Sequence, residues 1–214
     1  MAESINFDRR KVLGVQYSRN EIARIDETVT RNAWKINVSV SAMLNYENYR
    51  GLIEDIDYLD SRYPETVSFS TSTGASAGLS YMLAYQGNLA ASDLNALTIV
   101  AWTGTSLTLN NLPSVDPSTV MFLKGDFVQA ATLPYPTTVS QDVLRGSGST
   151  VTLTTHRPSF MGTQTQGKNI LVGNAVEFRV FVNKMPTYTL NSGGKTALLT
   201  WSGPFQLYEY TGEV

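Results

Sequence analysis

Trp34-Lys35-Ile36-Asn37-Val38-Ser39-Val40-Ser41 alternates apolar and polar residues at every step; then Tyr46, Tyr49, Leu52, Ile53, Ile56 and Leu59 recur at three- and four-residue intervals. The first period belongs to a strand with one face buried, the second to an amphipathic helix. Glu47, Arg50, Glu54, Asp55, Asp57 and Asp60 fill the positions between the apolar ones and form a solvated arc. Asn45 has the side chain to cap the first turn, and Pro64 forbids continuation, so the pattern predicts a helix over about 46–62.

Outward from this pair, short strands dominate. Thr66–Ser70 predicts one with Val67 and Phe69 inward, and a Ser, Thr, Gly and Ala tract at 70–80 then has little to bury and reads as a linker. Leu97–Trp102, Ser106–Leu109, Met121–Gln129, Thr137–Ser140 and Thr150–Thr154 follow as strand candidates, separated by Thr103-Gly104, Asn110-Asn111, several prolines and Gly146-Ser147-Gly148. Strands this short, interrupted this often, suggest a small barrel or sandwich. A second soft tract spans 158–167, after which Val176–Val182, Leu198–Leu199, Trp201 and Phe205–Tyr210 predict the last strands. Two soft tracts around a strand-rich block imply an insertion, with residues 1–74 and 164–214 forming one β domain and 75–163 another.

The chain has 214 residues, enough to bury a core without covalent staples. Only 16% are charged, against roughly 25% in ordinary soluble domains, which leaves more surface to Ser, Thr and Asn or to partners. A formal net charge of −2 supplies no general field for holding nucleic acid phosphates. With no cysteine, disulfides, thiolate catalysis and cysteine-based zinc sites are out. Residues 1–11 are polar and lack the apolar run of a secretory signal, and no apolar stretch approaches the ~20 residues that cross a bilayer. The expectation is a protein folded in cytoplasm, with no membrane partner.

Catalysis needs converging groups, and the sequence offers few. His156, the sole histidine, stands beside Arg157 and Pro158 at a strand end and reads as a turn or surface residue. Glu54, Asp55, Asp57 and Asp60 read as a solvated helix face rather than paired acid and base. Gly194-Lys195-Thr196 matches the tail of a phosphate-binding loop without the glycine that must begin it, so 190–196 reads as a hairpin turn. The expectation is no catalytic residue, cofactor or metal. One pattern favours assembly: Arg9, Arg10, Arg24 and Arg31 precede the acidic helix, and opposite patches that meet between subunits fix register and orientation.

In order along the chain, several segments resemble the distal tail (Dit-like) proteins of tailed bacteriophages, including those with an inserted OB-fold-like barrel. The resemblance is carried by Trp34–Val38, the helix through Leu52–Asp57, Thr66–Phe69, and Phe122-Leu123-Lys124-Gly125-Asp126-Phe127-Val128 followed by Tyr135–Val139. The late strand Val176–Val182 and Trp201-Ser202-Gly203-Pro204-Phe205 complete it. Lys124-Gly125-Asp126 departs from the family's Lys-Ala-Gly-Asp by lacking the alanine. Membership implies a mainly β fold with one amphipathic helix: a sandwich- or barrel-like domain forming a hexameric ring, and a small OB-like barrel projecting from it. It further implies a virion structural role at the tail tip or baseplate. Copies of itself, the tail tube and the hub would be partners, and DNA would pass only through the channel. A carbohydrate-binding β module with sugar stacked on Tyr81, Tyr85, Trp102 or Tyr135 is the competing expectation.

Overall fold

The computed structural model describes residues 2–8, 14–17, 23–26, 33–40, 44–60, 64–69, 83–160, 162–193 and 197–212. From the amino end run β1 (Ala2–Asp8), β2 (Gly14–Tyr17), β3 (Ala23–Asp26), β4 (Lys35–Val40), β5 (Leu44–Asn45), helix α1 (Tyr46–Asp60) and β6 (Glu65–Ser68). The middle holds helix α2 (Ala91–Ala96), β7 (Thr98–Thr103), β8 (Ser106–Asn110), β9 (Val120–Phe122), β10 (Phe127–Ala130), β11 (Thr137–Thr138), β12 (Val143–Leu144), β13 (Val151–Thr154) and β14 (Ile170–Val172). The last part is β15 (Glu177–Lys184), β16 (Tyr188–Asn191), β17 (Leu198–Trp201) and β18 (Phe205–Glu209). The protein is mainly β, as the abundance of Thr, Val and Tyr predicts.

Two compact units divide the chain: Met1–Asp8, Trp34–Ala84 and Asn174–Val214 form the first, Arg9–Ala33 and Tyr85–Gly173 the second. The division falls about ten residues beyond both expected boundaries, 74/75 and 163/164, and 9–33 goes with the second unit. Residues 167–172 explain the later end. Gly167 N–H donates to the Ile99 carbonyl at 2.8 Å, and β14 pairs with β10, so this stretch belongs to the inserted block.

In the first unit a five-stranded antiparallel sheet runs β1-β4-β18-β15-β6. Register puts Phe7 opposite Ile36, Leu207 opposite Ile36, and Phe178 opposite Val67, which gathers the apolar positions on one face. Phe7, Trp34, Phe69 and Phe178 interlock there with ring centroids 5.4–6.2 Å apart, mostly edge to face. That geometry suits the ring quadrupoles. The buried Glu209 carboxylate accepts the Trp34 N–H at 3.0 Å, and its own N–H donates to the Trp34 carbonyl at 2.8 Å, which fixes the start of β4. Helix α1 begins where the sequence predicts: Asn45 Oδ1 accepts the Asn48 N–H at 3.3 Å as an N-cap. Its described end is Asp60; the expected last residues, 61 and 62, lie outside the described residues.

The second unit has sheets β13-β8-β7, β11-β10-β14 and β12-β9, and β2 pairs with β3. A single bridge joins Thr98 of β7 to Asn169 beside β14, and another joins Val139 beside β11 to Thr155 beside β13. Leu97, Ile99, Leu107, Leu109, Met121, Phe122, Val128 and Leu153 make the buried core. The strand expected over Met121–Gln129 is in fact two, β9 and β10, broken by Leu123-Lys124-Gly125-Asp126. Gly125 has φ +102°, a conformation that side chains resist. Every N–H of that turn is satisfied: Leu123 to Asp126 Oδ2 at 2.8 Å, Lys124 to Asp142 Oδ1 at 2.8 Å, Gly125 to Val139 O at 2.8 Å and Asp126 to Leu123 O at 3.0 Å.

Candidate functional site

The surface that departs most from ordinary packing is a three-stranded sheet of the first unit, β16-β17-β5, beside α1. Register sets Tyr188 against Trp201 and Leu190 against Leu199. Leu199 is fully buried, whereas every residue of the edge strand β16 is exposed, Leu190 to 46%. Leu198 of β17, on the other face of the ribbon, is 38% exposed, and Tyr58 of α1 is 58% exposed. Tyr188 packs edge-on against Trp201 at 5.3 Å, and Trp201 against Phe205 at 4.9 Å, which connects this edge to the five-stranded sheet. Tyr46 N–H donates to the Ala197 carbonyl at 2.9 Å and ties the helix start to the same ribbon.

Edge strands normally carry devices against unwanted pairing. The two edges of the large sheet do: β1 has a register shift between Ala2 and Ser4 and ends in Asp8, and β6 begins at Glu65 directly after Pro64. Tyr188-Thr189-Leu190-Asn191 contains no charge, proline or bulge. Its border is acidic. The Tyr188 phenol is raised above its ordinary pKa by partial desolvation first, then by the negative fields of Asp57, Tyr46 and Glu54. Glu54, Asp55 and Asp57 are all exposed on α1, and Asp60 is its last residue, so the expected acidic arc flanks an apolar edge. Arg24 stands in β3 opposite Gln16; Arg9, Arg10 and Arg31 lie outside the described residues. The strand β16 itself was missed by sequence reasoning because a strand exposed on both faces has no burial period to read.

In the second unit the only histidine has a structural bond that its sequence context hid. His156 Nδ1 accepts the Thr138 N–H at 2.9 Å, and the His156 N–H donates to the Thr138 carbonyl at 3.0 Å, which links the end of β13 to β11. Nδ1 is therefore the unprotonated nitrogen in the neutral ring. Next to it the buried Arg157 donates to the Pro136 carbonyl at 2.6 Å and lies 4.4 Å from the centre of the Phe160 ring. Trp102, Tyr135, Arg157, Phe160 and Thr165 surround a cavity of about 10 Å³. Two of the aromatic residues considered for sugar stacking, Trp102 and Tyr135, thus line the same space, yet both are buried around a volume no larger than one water. Tyr85 is occupied elsewhere, its hydroxyl donating to the Met121 carbonyl, and Tyr81 lies outside the described residues.

Among the described residues no group of three or more His, Asp or Glu side chains converges as a metal site would require, and no helix is long and apolar enough to cross a membrane. No model of a known protein family matches the chain, and no curated protein is significantly similar to it.

Proposed function

We propose that this protein is a structural component of a tailed-phage virion, a ring at the tail tip or baseplate that joins tube to tip and leaves a channel for DNA. The observation that carries the reading is β16: a neutral, bulge-free edge with Tyr188 and Leu190 in water, an arrangement that an isolated chain would protect and an assembling one covers with a neighbour. The first unit is the ring-forming domain in this reading, and the acidic border from Glu54 to Asp60 orients the approaching subunit or repels passing DNA. For the second unit, support for the expected OB-like barrel comes from its pairing path. The order β13-β8-β7 continues through Thr98↔Asn169 to β14-β10-β11 and returns through Val139↔Thr155 to β13. It has no catalytic role in this reading.

Light scattering and negative-stain images of the purified chain, alone and co-expressed with a tail tube and hub protein, test the proposal. Annular particles, six copies around, are expected. Leu190→Asp with Tyr188→Asp is expected to reduce them to monomers with unchanged circular dichroism, because each charge would have to be desolvated in the contact. Reversing Asp55 and Asp57 to lysine is expected to impair ring formation or ejection. A wild-type chain that stays monomeric in both settings rules the ring out.

A further inference from the structure

His156, the one imidazole in the chain, closes a seam inside the second unit. Its backbone N–H donates to the Thr138 carbonyl at 3.0 Å and its Nδ1 accepts the Thr138 N–H at 2.9 Å, so one residue is held by both of its main-chain polar groups. Thr137 Oγ1 at 2.8 Å and Thr138 Oγ1 at 3.1 Å flank the same ring nitrogen. Both threonines are buried, and Phe127 and Val128 of β10 pair with them. Arg157 continues the seam by donating to the Pro136 carbonyl at 2.6 Å, while the Thr155 N–H donates to the Thr105 carbonyl at 2.8 Å.

A hydroxyl can donate or accept, but a backbone N–H only donates. A proton added at Nδ1 can therefore turn to a threonine hydroxyl, whereas the buried Thr138 N–H loses this acceptor and faces a second donor, an arrangement that costs its desolvation. Imidazole is the side chain whose ordinary charge change falls between about pH 5 and 8. The surroundings do not favour the charged ring. Phe127–Ala130, Thr137-Thr138, Thr103-Gly104-Thr105 and Pro158-Ser159-Phe160 carry no carboxylate, and Arg157, next in the chain, is a buried cation. Asp126, just before β10, turns its carboxylate to the Leu123 and Gln86 N–H groups, and Asp142, beyond β11, turns its own to the Lys124 N–H. An imidazolium here adds charge beside Arg157 with no carboxylate on these described segments to balance it.

We propose that His156 is an acid-sensitive latch on the second unit: the neutral ring holds 136–138 against 155–157, and protonation at Nδ1 releases that seam. Tyr135 and Thr137 help wall the small cavity beside Trp102, so release admits water to buried aromatic rings. Only the neutral ring closes the seam, so the latch is engaged above the ordinary imidazole value of about 6.5 and is lost as pH falls below it. The device lies within the second unit and does not depend on β16 or on how copies of the chain assemble.

Backbone amide hydrogen exchange of the full chain, read by NMR at pH 7.5 and 5.5 and corrected for intrinsic rates, tests the latch. At pH 5.5 an ordinary imidazole is about ten parts protonated to one neutral, so protection of the Thr138 N–H is expected to fall about 10-fold. Protection of the Leu109 and Leu153 N–H groups, in β8 and β13, is expected to hold. With one histidine in the chain, the ring 15N signals are unambiguous, and at pH 7.5 they are expected to show Nδ1 without a proton. His156→Asn places an oxygen where Nδ1 stands and does not titrate, so Thr138 protection is expected to be the same at both pH values. His156→Ala removes the acceptor, and protection is expected to be low at both. Asp126, whose burial-raised carboxyl acts in the opposite sense, is present in all three proteins and drops out of the comparison. Wild-type Thr138 protection that ignores pH overturns the proposal. So does a fall that survives in either variant, or one that Leu109 and Leu153 share equally.

Discussion

Phe178→Ala is expected to unfold the first unit at a temperature at least about 10 °C below wild type. Phe178 is fully buried in β15, and its ring meets Phe7 at 5.5 Å, Trp34 at 6.2 Å and Phe69 at 5.6 Å. Those three partners come from β1, the start of β4 and the end of β6, so one ring joins both edges of the sheet to its interior. Truncation removes the transfer free energy of the ring and leaves a hole that a hydrogen-bonded sheet closes poorly, together about 3–5 kcal/mol. Against a typical domain stability of about 5–15 kcal/mol, that is a large share. Trp34 reports the loss directly, because it is an edge-to-face neighbour of the deleted ring. Phe178→Leu retains volume without the quadrupole contacts and is expected to fall between the two. A midpoint within about 3 °C of wild type for the alanine variant would show that the aromatic cluster does not hold the sheet together.

How far the sequence reveals this architecture depends on how unequal the two faces of each element are. β4 and α1 are legible because each has one buried side: Ile36 and Ile53 are buried while Lys35 and Glu54 are not, and the period follows. β10 has no such contrast. Phe127, Val128, Gln129 and Ala130 are all buried, so β10 has no alternation of its own, and the break from β9 is carried only by the short Lys124-Gly125-Asp126 run, where Gly125 takes a positive φ. β16 fails for the opposite reason, since all four of its residues are exposed. The site divides in the same way. That Glu54, Asp55 and Asp57 face water is readable from helical spacing; that Glu54 and Asp57 act on Tyr188, far along the chain, is a product of strand pairing that no local pattern contains. Val38 and Val40, only half covered, belong to the same pattern: alternation tells which way a side chain points, not whether anything meets it there.

Asp126 gives the second large effect and a pH signature. Its carboxylate is buried; Oδ2 accepts the Leu123 N–H at 2.8 Å and Oδ1 the Gln86 N–H at 2.9 Å, so one side chain closes the Gly125 turn and holds segment 85–88 against it. Asp126→Asn keeps the shape but replaces one acceptor by an NH₂ that faces an N–H, and the expected loss is about 2–3 kcal/mol from the unsatisfied buried donor. Burial pushes the Asp126 pKa up from 3.8; hydrogen bonds from Leu123, Gln86 and Gly87 oppose the rise, and the nearby Asp142 adds to it. The folded state therefore binds this proton more tightly than the unfolded chain. Its contribution is fully present below the unfolded pKa and is lost as pH rises through the raised folded one. The stability advantage of wild type over Asp126→Asn is accordingly expected to be largest near pH 4, to shrink as pH rises, and to level off once the carboxyl is ionised in the folded state. Urea unfolding of both proteins from pH 4 to 7, followed through Trp102 in the second unit, measures the difference. An advantage that grows with pH would mean that the three N–H groups outweigh burial, with the carboxylate rather than the acid as the favoured folded form.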